Sequence, residues 1–371
     1  MLIQNAKAFI DGKFQEKTDL LIRDGRISAI GTGLAAEGEE LLDLGGDLLL
    51  PGFVDVHIHA FKGMDTMQGE EAVRHMSREL KKVGVAAFLP TTMSASPEDT
   101  VRALAGVKAV MERPEPDGAI VLGAHMEAPF LAEAKAGAQL KQYFADPNEE
   151  NWQRYTGGLE SVVRLITMAP ERAGAMEFIS ALTKKGITVS IGHTTADAET
   201  THAAAEAGAT HVTHTFNAQT PLNHRAPGVP GAALVDDRLQ CEVISDGIHL
   251  HPDIVKLIIR TKGKEKLVAI TDAMEAAGMP DGQYQLGGQE VFVHEGAARL
   301  KDGTLAGSTL TMVRAFQNLM RFGATPEEAA LMTTKTPALS IGNEELGEIE
   351  LGAPAIFSRF DENYAFKGTV G

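Results

Sequence analysis

Short alternating runs open and close this chain, and longer strand–helix repeats fill its middle. Over residues 1–50 apolar positions alternate with no helical period. Residues 1–9 read as a strand, Asp11-Gly12 and Asp24-Gly25 as hairpin turns, and 26–30 and 40–44 as further short strands. From Pro51 the pattern changes. Strands are predicted over 51–59, 85–90, 119–126, 162–168, 187–191, 210–214, 239–244 and 267–271. Helices are predicted over 70–83, where Ala72, Val73, Met76, Leu80 and Val83 share one face, and over 97–111, where Ser96 caps and Pro97 leads. Further helices are predicted over 172–185, 196–207 and 252–261. Eight strands, most followed by a helix, argue an α/β fold of the (β/α)8 TIM-like barrel type. A doubly wound open sheet is the rival, weakened because no Gly-x-Gly-x-x-Gly follows the first strand. Short strands return over 282–300, helices over 308–322 and from Thr325, whose Pro326 and Glu328 have capping-box spacing. Strands close the chain over 347–360. The predicted division is a small β-sandwich from 1–50 and 345–371 with part of 282–303, and a barrel over 51–344.

Composition adds constraints. With 371 residues, 44% of them hydrophobic, the chain can bury a large core. Asp and Glu (50) outnumber Lys and Arg (34), for a net charge of −16. So acidic a surface suits neither nucleic acid nor, without a local positive site, a phosphorylated ligand. Cys241 is the only cysteine, so no intrachain disulfide forms, which suits a reducing compartment. The N-terminus lacks a signal-peptide pattern, and no apolar run reaches the ~20 residues of a membrane span. A cytoplasmic location is expected, with no nucleic-acid or membrane partner.

Active sites of such barrels lie at the C-terminal ends of the strands. There stand His57 and His59 on the first strand, Glu127 on the third, His193 on the fifth, His214 on the sixth, His249 after the seventh and Asp272 on the eighth. The alternation of a strand puts His57 and His59 on one side. A single strand-end histidine is more often structural than a ligand. Six metal-type ligands (His57, His59, Glu127, His193, His214 and Asp272) at one end of one barrel point to a divalent metal. The chemistry that fits is metal-assisted hydrolysis, in which the ion lowers the pKa of bound water to ~7 and polarises a carbonyl. Asp272 can take the water's proton and pass it to the leaving group. Glu127, with two oxygens, is suited to bridge two ions, one beside His57, His59 and Asp272 and the other beside His193 and His214.

These residues, with Pro51 to His59, Gly192-His193-Thr194, Thr213 to Ala218, His224 to Gly228, Asp246 to His249, Thr271 to Met274 and Leu305 to Met312, resemble the amidohydrolase superfamily over essentially the whole chain. The match is closest to its branch that deacetylates N-acetylglucosamine 6-phosphate. The resemblance implies a zinc or iron cofactor, one or two ions per subunit, with Glu127, His193 and His214 at the principal position. It implies Asp272 as base and then acid. Asn217, Ala218 and Arg225 are expected at the substrate phosphate, with Arg225 reaching across a homodimer interface, and His249 at the substrate. Ala138 and Gln139 are expected beside it, and Leu305, Ala306 and Gly307 along the sugar and acetyl pocket. Arginine suits phosphate because its planar donors bind bidentately.

Two positions depart from the family pattern. Glu127-Ala128-Pro129 replaces the usual Glu-Gly-Pro, and Gln139 stands where some members have histidine. Gln139 can donate a hydrogen bond to an oxyanion but cannot carry a proton. A cyclic amidase is disfavoured, because many of those enzymes bridge two metals with a modified lysine at the end of the fourth strand, and here that end reads Met168-Ala169-Pro170. A non-catalytic scaffold, or a hydrolase of a related N-acetyl amino-sugar phosphate, is the remaining alternative.

Overall fold

The structure, a computed structural model, describes residues 1–35 and 38–371. Eight parallel strands form the barrel: β1 Phe53–Ile58, β2 Val85–Thr92, β3 Ala124–Met126, β4 Val163–Met168, β5 Thr188–Ile191, β6 His211–Val212, β7 Gln240–Ile244 and β8 Leu267–Ile270. Each pairs with its successor from β1 to β8. The ends meet where the Asp272 N–H donates to the His57 carbonyl at 2.8 Å and the His59 N–H to the Ala273 carbonyl at 3.0 Å. The residues that close the barrel thus flank the first histidine pair.

The third strand differs from the 119–126 expectation. It is split into Ile120–Val121 and Ala124–Met126, and pairing on β2 resumes one residue out of step, with Val121 opposite Phe88 and His125 opposite Thr91. Gly123 allows this (φ 147°), since a Cβ there would lie 2.3 Å from Arg164 Cγ. Three helices escape the sequence reading, Glu149–Thr156, Gly228–Val235 and the short Lys335–Ser340. The caps behave as read. Ser96 Oγ accepts from the Asp99 N–H, and Thr325 and Glu328 form a capping box, features worth about 1 kcal/mol each.

Both ends of the chain enter one sheet, ordered Phe366–Val370, Phe357–Phe360, Leu48–Pro51, Leu2–Ile10, Lys13–Arg23 and Arg26–Gly31, with Leu41–Asp43 also on Leu2–Ile10. It encloses its own apolar cluster, including Ile3, Leu20, Ile27, Leu49 and Phe357. The expectation that 282–303 contributes to this unit is corrected. Gly282–Leu286, Gln289–His294 and Ala297–Arg299 form a separate three-stranded meander. Its Leu286, Val291 and Ala298 pack on Met93, Met274 and Ala306. Connectivity explains the difference. The terminal sheet feeds β1 at its N-terminal end, whereas the meander follows the C-terminal end of β8, at the barrel mouth. Among the described residues no helix is long and apolar enough to cross a membrane.

Candidate active site

Six side chains from five strand ends converge at the barrel mouth. His57 and His59 leave β1 on one side, as alternation requires. Glu127, His193, His214 and Asp272 follow β3, β5, β6 and β8. His193, His214 and Asp272 adopt left-handed backbone (φ 46°, 28° and 50°), as do Phe216 and Ala218. Such conformations cost non-glycine residues about 1–3 kcal/mol and persist where surroundings over-determine them. Gly192 makes the turn before His193 possible, because a Cβ there would lie 2.6 Å from Thr213 Cβ and 2.7 Å from Thr167 Cγ2.

Hydrogen bonds fix two of the imidazoles. His57 Nδ1 lies 3.0 Å from Glu242 Oε2, and His193 Nδ1 lies 2.8 Å from the Lys135 carbonyl oxygen. Both partners only accept, so both Nδ1 atoms donate and each ring turns its Nε2 toward Glu127. His193 Nε2 and His214 Nε2 each lie 3.1 Å from Glu127 Oε1 and 3.1 Å from each other. His59 Nε2 lies 3.2 Å from Glu127 Oε2 and 3.2 Å from Asp272 Oδ1, and His57 Nε2 lies 3.5 Å from Glu127 Oε1. Lone pairs and carboxylate oxygens this close repel unless a positive charge lies among them.

Two buried triads can supply a cation's ligands, His57, His59 and Glu127, and Glu127, His193 and His214. Their nitrogen and oxygen donors suit zinc or iron. Glu127 belongs to both. Asp272 stands beside them, outside either triad.

Electrostatics agree. Burial pushes His57 toward its neutral form, but Asp272, Glu127 and Glu242 outweigh it and hold its pKa at about 9. Burial opposes protonation of His59 too, and Asp272 and Glu127 raise it to about 10. Burial raises Glu127 and Asp272, yet the histidines facing them keep both below the usual carboxylate range. Protons on His57 and His59 thus balance the carboxylates in the absence of metal, and a divalent ion bound here would displace them. His125 differs. Burial and the neighbouring His57 push its pKa well below the ordinary value. Its ring stands edge-on to His57 at 4.5 Å, and its Nε2 lies 2.8 Å from Thr167 Oγ1, so it supports the ligand without joining the cluster.

A cavity of about 310 Å³ opens above this cluster. His59, Glu127, His193, His214 and Asp272 form its floor. Ala138, Gln139, Asn217, Ala218, His249, Leu305 and Gly307 line its walls. His249 is held by Asp246, whose Oδ2 lies 2.7 Å from Nδ1. Two expected residues lie elsewhere. Ala306 is fully buried among the meander residues, because the extended chain turns Leu305 and Ala306 to opposite sides. Arg225 lies on an exposed loop, residues 221–227, and among the described residues its hydrogen bond is a backbone one to Asn223 Oδ1. The cavity of the single chain does not include it. The Ala128 methyl is accommodated in a buried position, 3% exposed.

Sequence reasoning missed Glu242, which orients His57 and also accepts the His214 backbone N–H at 3.2 Å. Its signal was available: a carboxylate inside the apolar run 239–244. It also missed Asp55, whose carboxylate accepts from Thr271 Oγ1 at 2.5 Å and ties β1 to β8 below the site. Burial raises the Asp55 pKa to about 7. The Lys135 carbonyl that fixes His193 has no side-chain signature.

Residues 48–368 match the sequence model of the amidohydrolase family. The chain is 36% identical over 377 residues to the N-acetylglucosamine-6-phosphate deacetylase of Lysinibacillus sphaericus, covering 100% of this chain and 96% of that relative. It is 36% identical over 343 residues to the N-acetylgalactosamine-6-phosphate deacetylase of Escherichia coli O157:H7, with 91% and 88% covered. Among solved structures it is similar to an aspartate-to-alanine variant of the N-acetyl-D-glucosamine-6-phosphate deacetylase from Mycobacterium smegmatis in complex with N-acetyl-D-glucosamine-6-phosphate. The TM-score is 0.92 and the identity 31%, over 100% of this chain and 97% of that one.

Proposed function

The chain belongs to the amidohydrolase family, and from that premise we propose that it hydrolyses the acetamide of N-acetylglucosamine 6-phosphate to glucosamine 6-phosphate and acetate. The observation that carries the reading is the pair of buried ligand triads sharing Glu127, whose His59, Glu127, His193 and His214 reach the floor of a cavity of sugar size beside Asp272. His57, His59, Glu127, His193 and His214 would hold a divalent ion, zinc or iron, which would lower the pKa of a bound water and polarise the amide carbonyl. Asp272, whose Oδ1 lies 3.2 Å from His59 Nε2 at the edge of the ligand cluster, takes the proton of the attacking water and returns it to the departing amine. Asn217, Ala218 and His249 orient the phosphorylated sugar from the walls, and Leu305 and Gly307 shape the acetyl side.

Arg225 supplies the positive fork for the phosphate from a second copy of the chain in a homodimer. Its exposure, and its absence from the lining of its own chain's cavity, support that assignment. A phosphorylated substrate and a single buried cysteine support a cytoplasmic location. The terminal sheet, with a core of its own, supports dividing the chain into a catalytic unit over 51–344 and a smaller unit from the two ends.

Acetate release tests the reaction. Turnover is expected with N-acetylglucosamine 6-phosphate, dependent on divalent metal, and not with unphosphorylated N-acetylglucosamine. Turnover of both sugars overturns the phosphate assignment, and faster turnover of the galactosamine isomer moves the substrate to that epimer. The Arg225→Ala variant is expected to raise KM by about 10-fold or more with little change in kcat, the loss typical of a charge-assisted contact. An unchanged KM removes Arg225 from the phosphate site.

A further inference from the structure

Gln139 is 5% exposed, and both ends of its amide face partners that fix which end is which. Its Oε1 accepts from the Ser94 backbone N–H at 2.7 Å, and that partner can only donate. Its Nε2 therefore faces Glu127 Oε2, at 2.5 Å, and that partner accepts. The remaining direction at Nε2 points at Met93 Sδ, 3.5 Å away. Ser94 is itself anchored, because its Oγ accepts from the Leu140 N–H at 2.5 Å. The 93–94 and 139–140 segments are thus clamped together, with the amide held between them and aimed at Glu127.

Glu127 has a demanding task. Its Oε1 must face His193 and His214 while its Oε2 faces His59. Four histidines approach it, His57 and His59 from β1, His193 from β5 and His214 from β6, and none of them donates from the β2 side. Gln139 does. A carboxylate free to rotate about its last bond satisfies one triad at the expense of the other. We infer that Gln139 is a positioning residue for the metal centre, which holds the Glu127 carboxylate in the one orientation that serves both ligand triads. It does not donate to the oxyanion, because its amide hydrogens are directed at Glu127 and Met93. This departs from the oxyanion contact that the sequence suggested for this position.

The inference rests on the metal-binding reading of Glu127, but its test needs no substrate. Metal affinity is measured by chelator competition and metal content on the full chain, in the wild type and in two variants. Gln139→Leu keeps bulk and removes both amide contacts. Gln139→Glu is isosteric and keeps an acceptor for the Ser94 N–H, but turns a second carboxylate on Glu127. Circular dichroism of the chelated proteins checks that both fold. The expected order of affinity is wild type, then Gln139→Leu, weaker by about 10- to 100-fold, as for other partners of metal ligands, then Gln139→Glu. A residue that only fills space predicts the reverse order for the two variants, because the isosteric one disturbs packing less. Reversed order, or affinity unchanged in Gln139→Leu with a lowered kcat, overturns the inference and returns Gln139 to the oxyanion. A wild type that holds no divalent ion overturns the metal reading itself, and is seen before either variant is compared.

Discussion

The Asp272→Asn variant is expected to keep its fold and its metal and to lose about 100-fold or more in kcat, the scale of a positioned acid–base group. The fold expectation follows from what Asp272 does with its main chain. Its N–H donates to the His57 carbonyl at 2.8 Å, and its carbonyl accepts from the Ser308 N–H at 2.7 Å. Neither bond involves the side chain. The backbone there has φ 50°, a conformation that asparagine tolerates as well as aspartate does. The metal expectation follows from the triads, neither of which includes Asp272. An asparagine oxygen still accepts where Oδ1 now faces His59 Nε2, but the amide has no basicity near neutral pH. Turnover at saturating substrate, beside metal content, checks both parts. A kcat within a few-fold of wild type takes the proton transfer away from Asp272. Metal loss in proportion to the lost rate makes it a ligand and nothing more.

Much of this site was legible because its residues obey local rules. His57 and His59 share a face because a strand alternates, and each strand-end residue lies at the mouth because the strands are parallel. What the chain order does not carry is which surfaces meet. The 282–299 meander alternates just as the terminal strands do, and alternation predicts a half-buried strand without naming its partner. Its place above the barrel follows from where β8 ends. The break at Gly123 was hidden for a similar reason, since the close neighbour that excludes a side chain there is Arg164 on the adjacent strand. Gln139 and Lys135 act on Glu127 and His193 across loops, one by an amide and one by a backbone carbonyl. A single sequence marks neither as a partner. Glu242 is the instructive case, because a carboxylate inside an apolar strand is costly unless something buried needs it. That cost was visible in the sequence before the partner was.

Removing the metal is expected to have the largest effect of all. The stripped protein should lose turnover by about 1000-fold or more, because the ion supplies several kcal/mol of transition-state stabilisation, and added zinc or iron should restore it. Stability should fall as well. A ligand bound only by the native state, at a thousand times its Kd, contributes about 4 kcal/mol. The stripped and loaded proteins should then differ in their response to pH. Without metal, protons on His57 and His59 balance the buried carboxylates, with pKa values of about 9 and about 10. A histidine whose pKa rises on folding contributes its stability in full below its unfolded value of about 6.5 and loses it as pH climbs through the folded value. The stripped protein should therefore weaken steadily from about pH 7 to pH 10. The loaded protein should not, since the ion has already displaced those protons, and its metal affinity should fall as pH is lowered and protons compete for the same nitrogens. Thermal melting across this range, with and without chelator, checks the exchange. Identical pH profiles for the two forms would show that the histidines hold no protons for a metal to replace. Undiminished turnover in protein verified free of metal would remove the hydrolytic mechanism with it.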